Sequence, residues 1–369
     1  MKVICNQRDL STGINIVQKA VSIKTTMPIL MGIYLKAAGD KLKLVGTDLD
    51  LGIETYIDAE VLSPGEVVIS SRIFGEIVRK FPDDDVSIDV DSENNVVLRC
   101  QNSEFTLIGQ PAAEYPELPT IDEKEAYLIS KDLFGNMIRQ TVFACSIDET
   151  RPILTGVLME IEDKQINMVA LDGYRMAFRR GAVQNEKNSK EVVPGKTLME
   201  VSRILNEDPN ESVRIFFTDK HVLFHIDQTR IISRLLEGEF INYKQIIPNQ
   251  HKTKVKVNKK ELSDSIERAS LLAREGKNNL IRLSIRDEEM IIHSNAEIGK
   301  VFECVRIELE GEDLDIGFNS KYFLDGIRAI DSEEVILNFT TNLNPCIMQP
   351  IDSDSYTYLV LPVRIPNQS

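Results

Sequence analysis

A chain of 369 residues, 42% apolar and 27% charged, has the balance of a globular protein and is too long for one ordinary core. Its net charge of −15 argues against ordinary nucleic-acid binding, which draws most of its affinity from Lys and Arg neutralising phosphates. No apolar run approaches about 18 residues and Met1–Leu10 carries no signal-peptide core, so a cytoplasmic protein is expected.

The chain opens with a short strand, Lys2–Cys5, and an amphipathic helix, Arg8–Ser22, with Leu10, Ile14, Val17 and Val21 on one face. Pro28–Ile53, PILMGIYLKAAGDKLKLVGTDLDLGI, follows as two alternating β-runs around a turn at Gly39-Asp40. Ser70–Phe81 reads as a second helix capped by Ser70, then Val86–Val90, Val96–Cys100 and Glu104–Ile108 as strands before a linker, Pro111–Glu125.

The series then starts again. Strand Ala126–Ile129 and helix Lys131–Cys145, with Leu133, Met137 and Val142, lead into Arg151–Phe178. There Pro152-Ile153-Leu154 and Gly156 repeat Pro28-Ile29-Leu30 and Gly32 at an offset of 124, and Leu171-Asp172 stands where Thr47-Asp48 stood. A turn at Asp163-Lys164, helix Pro194–Leu205, strands Val213–Phe217, Val222–Ile226 and Arg230–Leu235, and linker Pro248–Thr253 complete the copy. A third, weaker copy runs through strand Lys254–Val257, helix Lys259–Ala273 (Leu262, Ile266, Ala269) and Asn278–Phe302, which lacks Pro-Ile-Leu. It turns at Asp287-Glu288, places Ser294-Asn295 at the Leu171-Asp172 position, and closes with helix Asn319–Ile330, capped by Asn319, and strands Val335–Phe339, Cys346–Gln349 and Tyr356–Val363.

Self-similarity at fixed spacing is architectural. It predicts domains at 1–121, 126–249 and 253–369, each with two helices against a mostly antiparallel sheet, an α+β arrangement.

On a 100° wheel Ile73, Phe74, Ile77, Val78 and Phe81 cover one side of the second helix, and Arg72 and Arg79 lie on the other. Both cationic positions recur: Arg72, Lys196 and Lys321, then Arg79, Arg203 and Arg328. Glu76, Glu200 and Asp325 lie four residues after the first cation and three before the second, so one reading is a solvated face of ordinary ion pairs. The other is a shared basic surface in an acidic chain.

Catalytic and metal sites are not indicated. His221 and His225 fall in HVLFH, which alternates like a strand, and Asp48, Asp50 and Asp83-Asp84-Asp85 read as acidic turns. No Gly-rich phosphate loop, Gly-x-Ser-x-Gly elbow or His-Glu-x-x-His occurs. Cys5, Cys100, Cys145, Cys304 and Cys346 are odd in number and never Cys-x-x-Cys, which favours buried free thiols. Two apolar stretches, Leu171–Met176 and Tyr358–Ile365, read either as a loop and an edge strand on the core or as a groove for an apolar partner peptide.

The chain resembles the bacterial DNA polymerase III beta subunit family, the sliding clamps, over its full length. The resemblance is carried by MPILMG at Met27–Gly32, Gly46-Thr47-Asp48, Leu171–Met176 (similar to the family's Thr-Asp-Gly-His-Arg-Leu), Gly317-Phe318-Asn319 and Leu361-Pro362-Val363-Arg364. It departs at Ile241, where the family often has Pro, and in the tail Pro366–Ser369. The resemblance implies a non-catalytic processivity factor, without cofactor or metal, closing as a head-to-tail homodimer ring of six domains around duplex DNA. Topology then answers the charge objection, since a closed ring needs only a weakly attractive inner wall and phosphate contacts carry no sequence preference.

By the same resemblance Lys24, Arg72, Arg79, Arg151, Lys196, Arg203, Lys321 and Arg328 face DNA, and Phe105 and Leu107 of one chain meet Leu271 and Leu272 of the other. Leu154, Leu171, Gly173, Tyr174, Arg175, Met176, Ile241, Ile246, Leu359, Val360, Leu361, Pro362 and Arg364 form the partner groove, flanked by Asn319, Tyr322 and Pro345. Implied partners are the DNA polymerase III catalytic subunit, the clamp loader, and repair and translesion polymerases or other proteins with a clamp-binding motif. A repeat-built scaffold with no DNA in its centre is the alternative, and a hydrolase with a site between domains a third reading.

Overall fold

The computed structural model describes residues 1–22, 24–185, 187–205, 211–248 and 250–365, so the tail Pro366–Ser369 lies outside the described residues. The first repeat runs β1 (Lys2–Asn6), α1 (Gln7–Val17), β2 (Gly32–Ala38), β3 (Lys41–Thr47), β4 (Leu51–Asp58), β5 (Glu60–Ser63), β6 (Gly65–Ser70), α2 (Ser71–Lys80), β7 (Asp85–Val90), β8 (Asn95–Cys100), β9 (Ser103–Ile108). The second runs β10 (Tyr127–Ser130), α3 (Lys131–Thr141), β11 (Gly156–Glu162), β12 (Gln165–Leu171), β13 (Arg175–Ala182), β14 (Ser189–Pro194), α4 (Gly195–Ile204), β15 (Ser212–Phe217), β16 (His221–Ile226), β17 (Thr229–Arg234). The third runs β18 (Thr253–Asn258), α5 (Lys259–Ala273), β19 (Leu280–Arg286), β20 (Glu289–Ala296), β21 (Gly299–Gly311), β22 (Leu314–Asn319), α6 (Ser320–Ala329), β23 (Glu334–Phe339), β24 (Cys346–Pro350), β25 (Tyr356–Val360).

The chain packs as two compact units, Met1–Asp132 with Glu200–Leu235, and Leu133–Met199 with Leu236–Ser369. In the first, a five-stranded sheet has the order β5-β1-β7-β8-β9 and an eight-stranded sheet the order β10-β15-β16-β17-β4-β3-β2-β6. In the second, a twelve-stranded sheet runs β14-β11-β12-β13-β25-β24-β23-β18-β21-β20-β19-β22. All the named pairings are antiparallel. Successive repeats are therefore stitched by backbone hydrogen bonds, β4 to β17 in the first unit and β13 to β25 in the second.

The predicted turns bend where left-handed backbone lets tight hairpins match strand twist: Gly39 (φ +63°), Asp163 (+51°), Lys164 (+61°) and Asp287 (+51°). Several expectations need correction. The first helix stops at Val17 and goes over to a 3-10 turn, Gln18–Ala20; α3 likewise stops at Thr141 and ends in Val142–Ala144. Ser70 precedes α2 but makes no side-chain cap bond, whereas Asn319 accepts from the Lys321 and Tyr322 N–H groups. Extra strands (β4 to β6, β13 and β14, β21 and β22) stand between the predicted strand pair and the second helix. In β4 Leu51 to Thr55 are all buried, Glu54 and Thr55 included, so the sequence there lacks the polar alternation that would mark a strand. The C-terminal strand ends at Val360 rather than Val363, ahead of Pro362, and β25 is interior to its sheet, not an edge. The five cysteines are free, but only Cys5, Cys100 and Cys346 are buried; Cys145 is half-buried and Cys304 exposed.

Gly46 explains part of the Gly46-Thr47-Asp48 signature. A Cβ there would sit 2.3 Å from the Val17 carbonyl oxygen, so its absence lets β3 lie against the end of α1. Gly46→Ala is expected to cost about 1–3 kcal/mol through overpacking, seen as a melting temperature lowered by several degrees. An unchanged melting curve would show that this contact yields freely.

Candidate functional site

The strand-to-strand turn after β12 builds the site. Asp172 Oδ1 accepts from the Tyr174 and Arg175 N–H groups at 2.9 and 3.1 Å, and Gly173 between them takes φ +93°, where a side chain would be strained. This turn lifts Tyr174 into solvent, 62% exposed, and starts β13 at Arg175. Arg175 is buried and fully engaged: Nε donates to Asp172 Oδ2 (3.0 Å), Nη1 to Asp325 Oδ2 (2.5 Å) and Nη2 to the Phe143 carbonyl (2.8 Å). Its guanidinium lies 4.4 Å from the Tyr322 ring centroid, and that ring in turn stacks with Tyr174. Burial works against its charge, yet Tyr358, Asp325 and Asp172 more than offset this and hold its pKa above the ordinary arginine value.

The C-terminal segment completes the wall. The Leu361 N–H donates to the Tyr174 carbonyl at 2.9 Å and the Val363 N–H to the Gly317 carbonyl at 2.8 Å. A Cβ on Gly317 would meet the Val363 oxygen at 2.8 Å, which is why the Gly317-Phe318-Asn319 signature needs glycine first. Asn319 caps α6 and Tyr358 donates to the Tyr322 carbonyl at 2.8 Å, fixing Tyr322 beside the turn.

Among the predicted groove residues, Leu154, Leu171, Met176 and Leu359 join one buried cluster, and Val360 and Arg175 are buried as well. They make a floor. Gly173, Tyr174, Ile241, Leu361 and Arg364 are exposed, with Ile246, Asn319, Tyr322, Pro345 and Pro362 half-buried. The cluster also contains Phe240, Tyr243 and Ile347, which the sequence reading missed, although Phe240 stands beside the predicted Ile241. Asp325, expected in a helix-face ion pair, instead holds Arg175.

The eight predicted cations, Lys24, Arg72, Arg79, Arg151, Lys196, Arg203, Lys321 and Arg328, are all exposed. Of the helical ion pairs considered for the second helices, the described residues show Arg203 to Glu200 (2.5 Å). Arg79 instead donates to Asn15 and Gln18 on the neighbouring helical segment (3.0 and 3.3 Å), and Arg328 pairs with Glu267 on α5 (2.5 Å). Among the described residues no group of three or more His, Cys, Asp or Glu could hold a metal ion, and no helix is long and apolar enough to cross a membrane.

Three family models match in order: the N-terminal domain of the DNA polymerase III beta subunit over residues 1–119, its central domain over 128–242 and its C-terminal domain over 244–364. The chain belongs to the DNA polymerase III beta subunit family. The beta sliding clamp of Bacillus subtilis is 41% identical over 99% of this chain and 100% of its own length; that of Staphylococcus epidermidis is 38% identical over 94% of each. The solved DNA polymerase sliding clamp of Bacillus subtilis superposes with a TM-score of 0.96 at 39% identity, covering 99% of both chains. A sliding clamp from Pseudomonas aeruginosa bound to griselimycin does so with 0.94 at 26% identity, covering 99% of this chain and 100% of that one.

Among the strand edges left open in the described residues of this beta-subunit family member are β9 and part of β21. Among the described residues β9 pairs with β8 alone and ends its sheet. In β21, residues 299–306 pair with β20, while β18 takes only Ile307–Gly311 on the other side; residues 299–306 have no second strand partner among the described residues. Both edges are apolar at the surface, with Phe105, Ile108, Ile298 and Phe302 exposed, as is Leu271 on α5, while Leu107 and Leu272 are half-buried. Exposed edges of this kind invite pairing with another chain.

Proposed function

We propose that two copies of this chain close head to tail into a ring around duplex DNA, and that the ring is a non-catalytic processivity factor tethering polymerases through the groove. The names of its relatives support the clamp role; the observation that supports the closure is strand register. β4 meets β17 with Ile53 opposite Ile231, and β13 meets β25 with Ala177 opposite Tyr358, the same register shifted by one repeat. The third members of these two strand series are residues 299–306 of β21 and strand β9, both open edges among the described residues. Continuing the register places Val301 opposite Phe105 and Gly299 opposite Leu107 of a second copy. A Cβ on Gly299 would lie 3.9 Å from Leu272, so Leu107 arriving there would pack on Leu272. The domains of this reading keep the boundaries 1–121, 126–249 and 253–369.

Lys24, Arg72, Arg79, Arg151, Lys196, Arg203, Lys321 and Arg328 form the DNA-facing wall. The partners are the polymerase III catalytic subunit, the clamp loader, and repair and translesion polymerases with a short apolar motif. The test is topological: clamp assembled on circular DNA should stay bound through gel filtration and be lost once that DNA is cut to a line. Retention on linear DNA with free ends would overturn the ring. In the same assay Arg79→Glu, Arg203→Glu and Arg328→Glu combined should leave folding intact, as at exposed positions generally. The salt dependence of sliding or loading should become shallower, by roughly 0.9 in log–log slope for each phosphate that is no longer neutralised. Unchanged slope and retention would return these residues to a solvated helix face.

A further inference from the structure

The first unit carries the same backbone frame as the groove. Asp48 Oδ1 accepts from the Asp50 and Leu51 N–H groups at 3.1 and 2.8 Å, as Asp172 does one repeat later. The Arg234 N–H donates to the Asp50 carbonyl at 3.0 Å, matching Leu361 to Tyr174. Ile232 stands opposite Gly52 where Leu359 stands opposite Met176. The side chains differ. Thr47 replaces Leu171 and Gly52 replaces Met176, and the vacated space is filled by Leu118 from the connector: a Cβ on Gly52 would lie 2.4 Å from Leu118 Cδ2.

A cavity of about 260 Å³ remains, and its lining includes Leu49, Leu118 and Ile232 with Asp50, His221 and Arg234. Its size is below the roughly 300–1,000 Å³ of pockets for drug-sized ligands, which suits a single aliphatic anchor. Leu49 sits at the position of Gly173 with φ +80°, a leucine held in a left-handed conformation and 54% exposed at the cavity mouth. The Arg234 guanidinium is mostly exposed and its contact with Asp50 is loose, at 3.6 Å. Burial, then Arg234 and Lys220, lower the His221 pKa. Asp50 and Glu117 are the acidic residues of the lining.

We propose that this cavity is a second, weaker docking site, taking an extended peptide that offers one leucine-sized side chain followed by a carboxylate. It rests on the groove reading above, of which it is the first-repeat counterpart. Leu49, Leu118 and Ile232 receive the apolar side chain and Arg234 the carboxylate, which displaces Asp50.

The full chain with labelled leucine and isoleucine methyls is titrated with Ser-Gly-Leu-Asp-Gly-Ser and with the same peptide carrying Lys for Asp. The aspartate peptide should move the Leu49, Leu118 and Ile232 methyls with an affinity near millimolar. The lysine peptide should bind about threefold to fivefold more weakly, the scale of one exposed ion pair, and Arg234→Glu, a change at an exposed position, should reverse that order. No shift at these methyls up to about ten millimolar, or equal affinity for both peptides, overturns the site. A leucine-x-phenylalanine peptide read at Leu171 and Leu359 in the same spectra tests the groove. Silence there sinks the groove reading, whereas silence at Leu49, Leu118 and Ile232 alone sinks only this one.

Discussion

A chain carrying Phe105→Asp and Leu107→Asp should scatter light at its monomer mass of 41.7 kDa at micromolar concentration, where the unsubstituted chain is expected at twice that mass. The reason is local. Among the described residues β9 has one neighbouring strand, β8, so its other side is open between Phe105 and Leu107. Pairing it with residues 299–306 of a second copy would bury both new carboxylates without partners, at an effective cost of several kcal/mol each. A closed ring contains that interface twice. Phe105 also contacts Phe81, at 5.7 Å between ring centroids, so melting must be measured beside mass to separate lost assembly from a weakened sheet. The register has its own test: Thr106→Cys with Lys300→Cys, in a Cys304→Ser background, should form an interchain disulfide because the proposed register would set the two directly opposite. Thr106→Cys with Val301→Cys should not, since adjacent strand residues point to opposite faces. A doubled mass in the double Asp variant, or equal cross-linking by both pairs, would remove this interface.

How much of this was legible in the sequence depended on whether a local signal existed. The repeats were plain because Pro28-Ile29-Leu30 and Pro152-Ile153-Leu154 open the same 3-10 turn before the same strand. In the third copy Lys277–Asn279 turns at that place with Asn278 and Asn279 in left-handed backbone (φ +63° and +49°) and without the proline, so only the pattern around it survived. The second helices were found to within a residue or two because Phe74, Val78, Phe323 and Ile327 are core at helical spacing. Strands β4 and β13 were not, because burial on both faces removes alternation, and their partners β17 and β25 lie far along the chain. For the same reason the role of Asp325 was hidden: its partner Arg175 is 150 residues away, and helical spacing suggested a nearer one. The groove was half legible, as turn chemistry at Asp172-Gly173, while the burial of Met176 beneath it follows only from the sheet.

That burial changes how the groove should be tested. Met176→Ala with Leu361→Ala is expected to abolish binding of a peptide carrying a glutamine and a leucine-x-phenylalanine pair, and binding of polymerase, while the dimer keeps its mass. Burying one Leu and one Phe gives about 3–6 kcal/mol before ordering costs, so the unsubstituted chain should bind such a peptide at roughly micromolar affinity. The two substitutions act differently. Met176 is 1% exposed within the cluster of Leu171, Phe178 and Leu359, so its truncation also leaves a core cavity worth about 2–5 kcal/mol of stability. Leu361 is 39% exposed and pinned by its N–H to Tyr174, so Leu361→Ala removes apolar surface with little effect on folding. If the groove is the docking site, Leu361→Ala alone should weaken the peptide about tenfold in fluorescence anisotropy at an unchanged melting temperature, and the double variant should eliminate it in a less stable dimer. Undiminished affinity in the double variant sinks the groove assignment. Loss of the dimer with the peptide would instead make the Leu361 segment a structural edge, because the ring interface proposed for β9, β21 and α5 uses none of these residues.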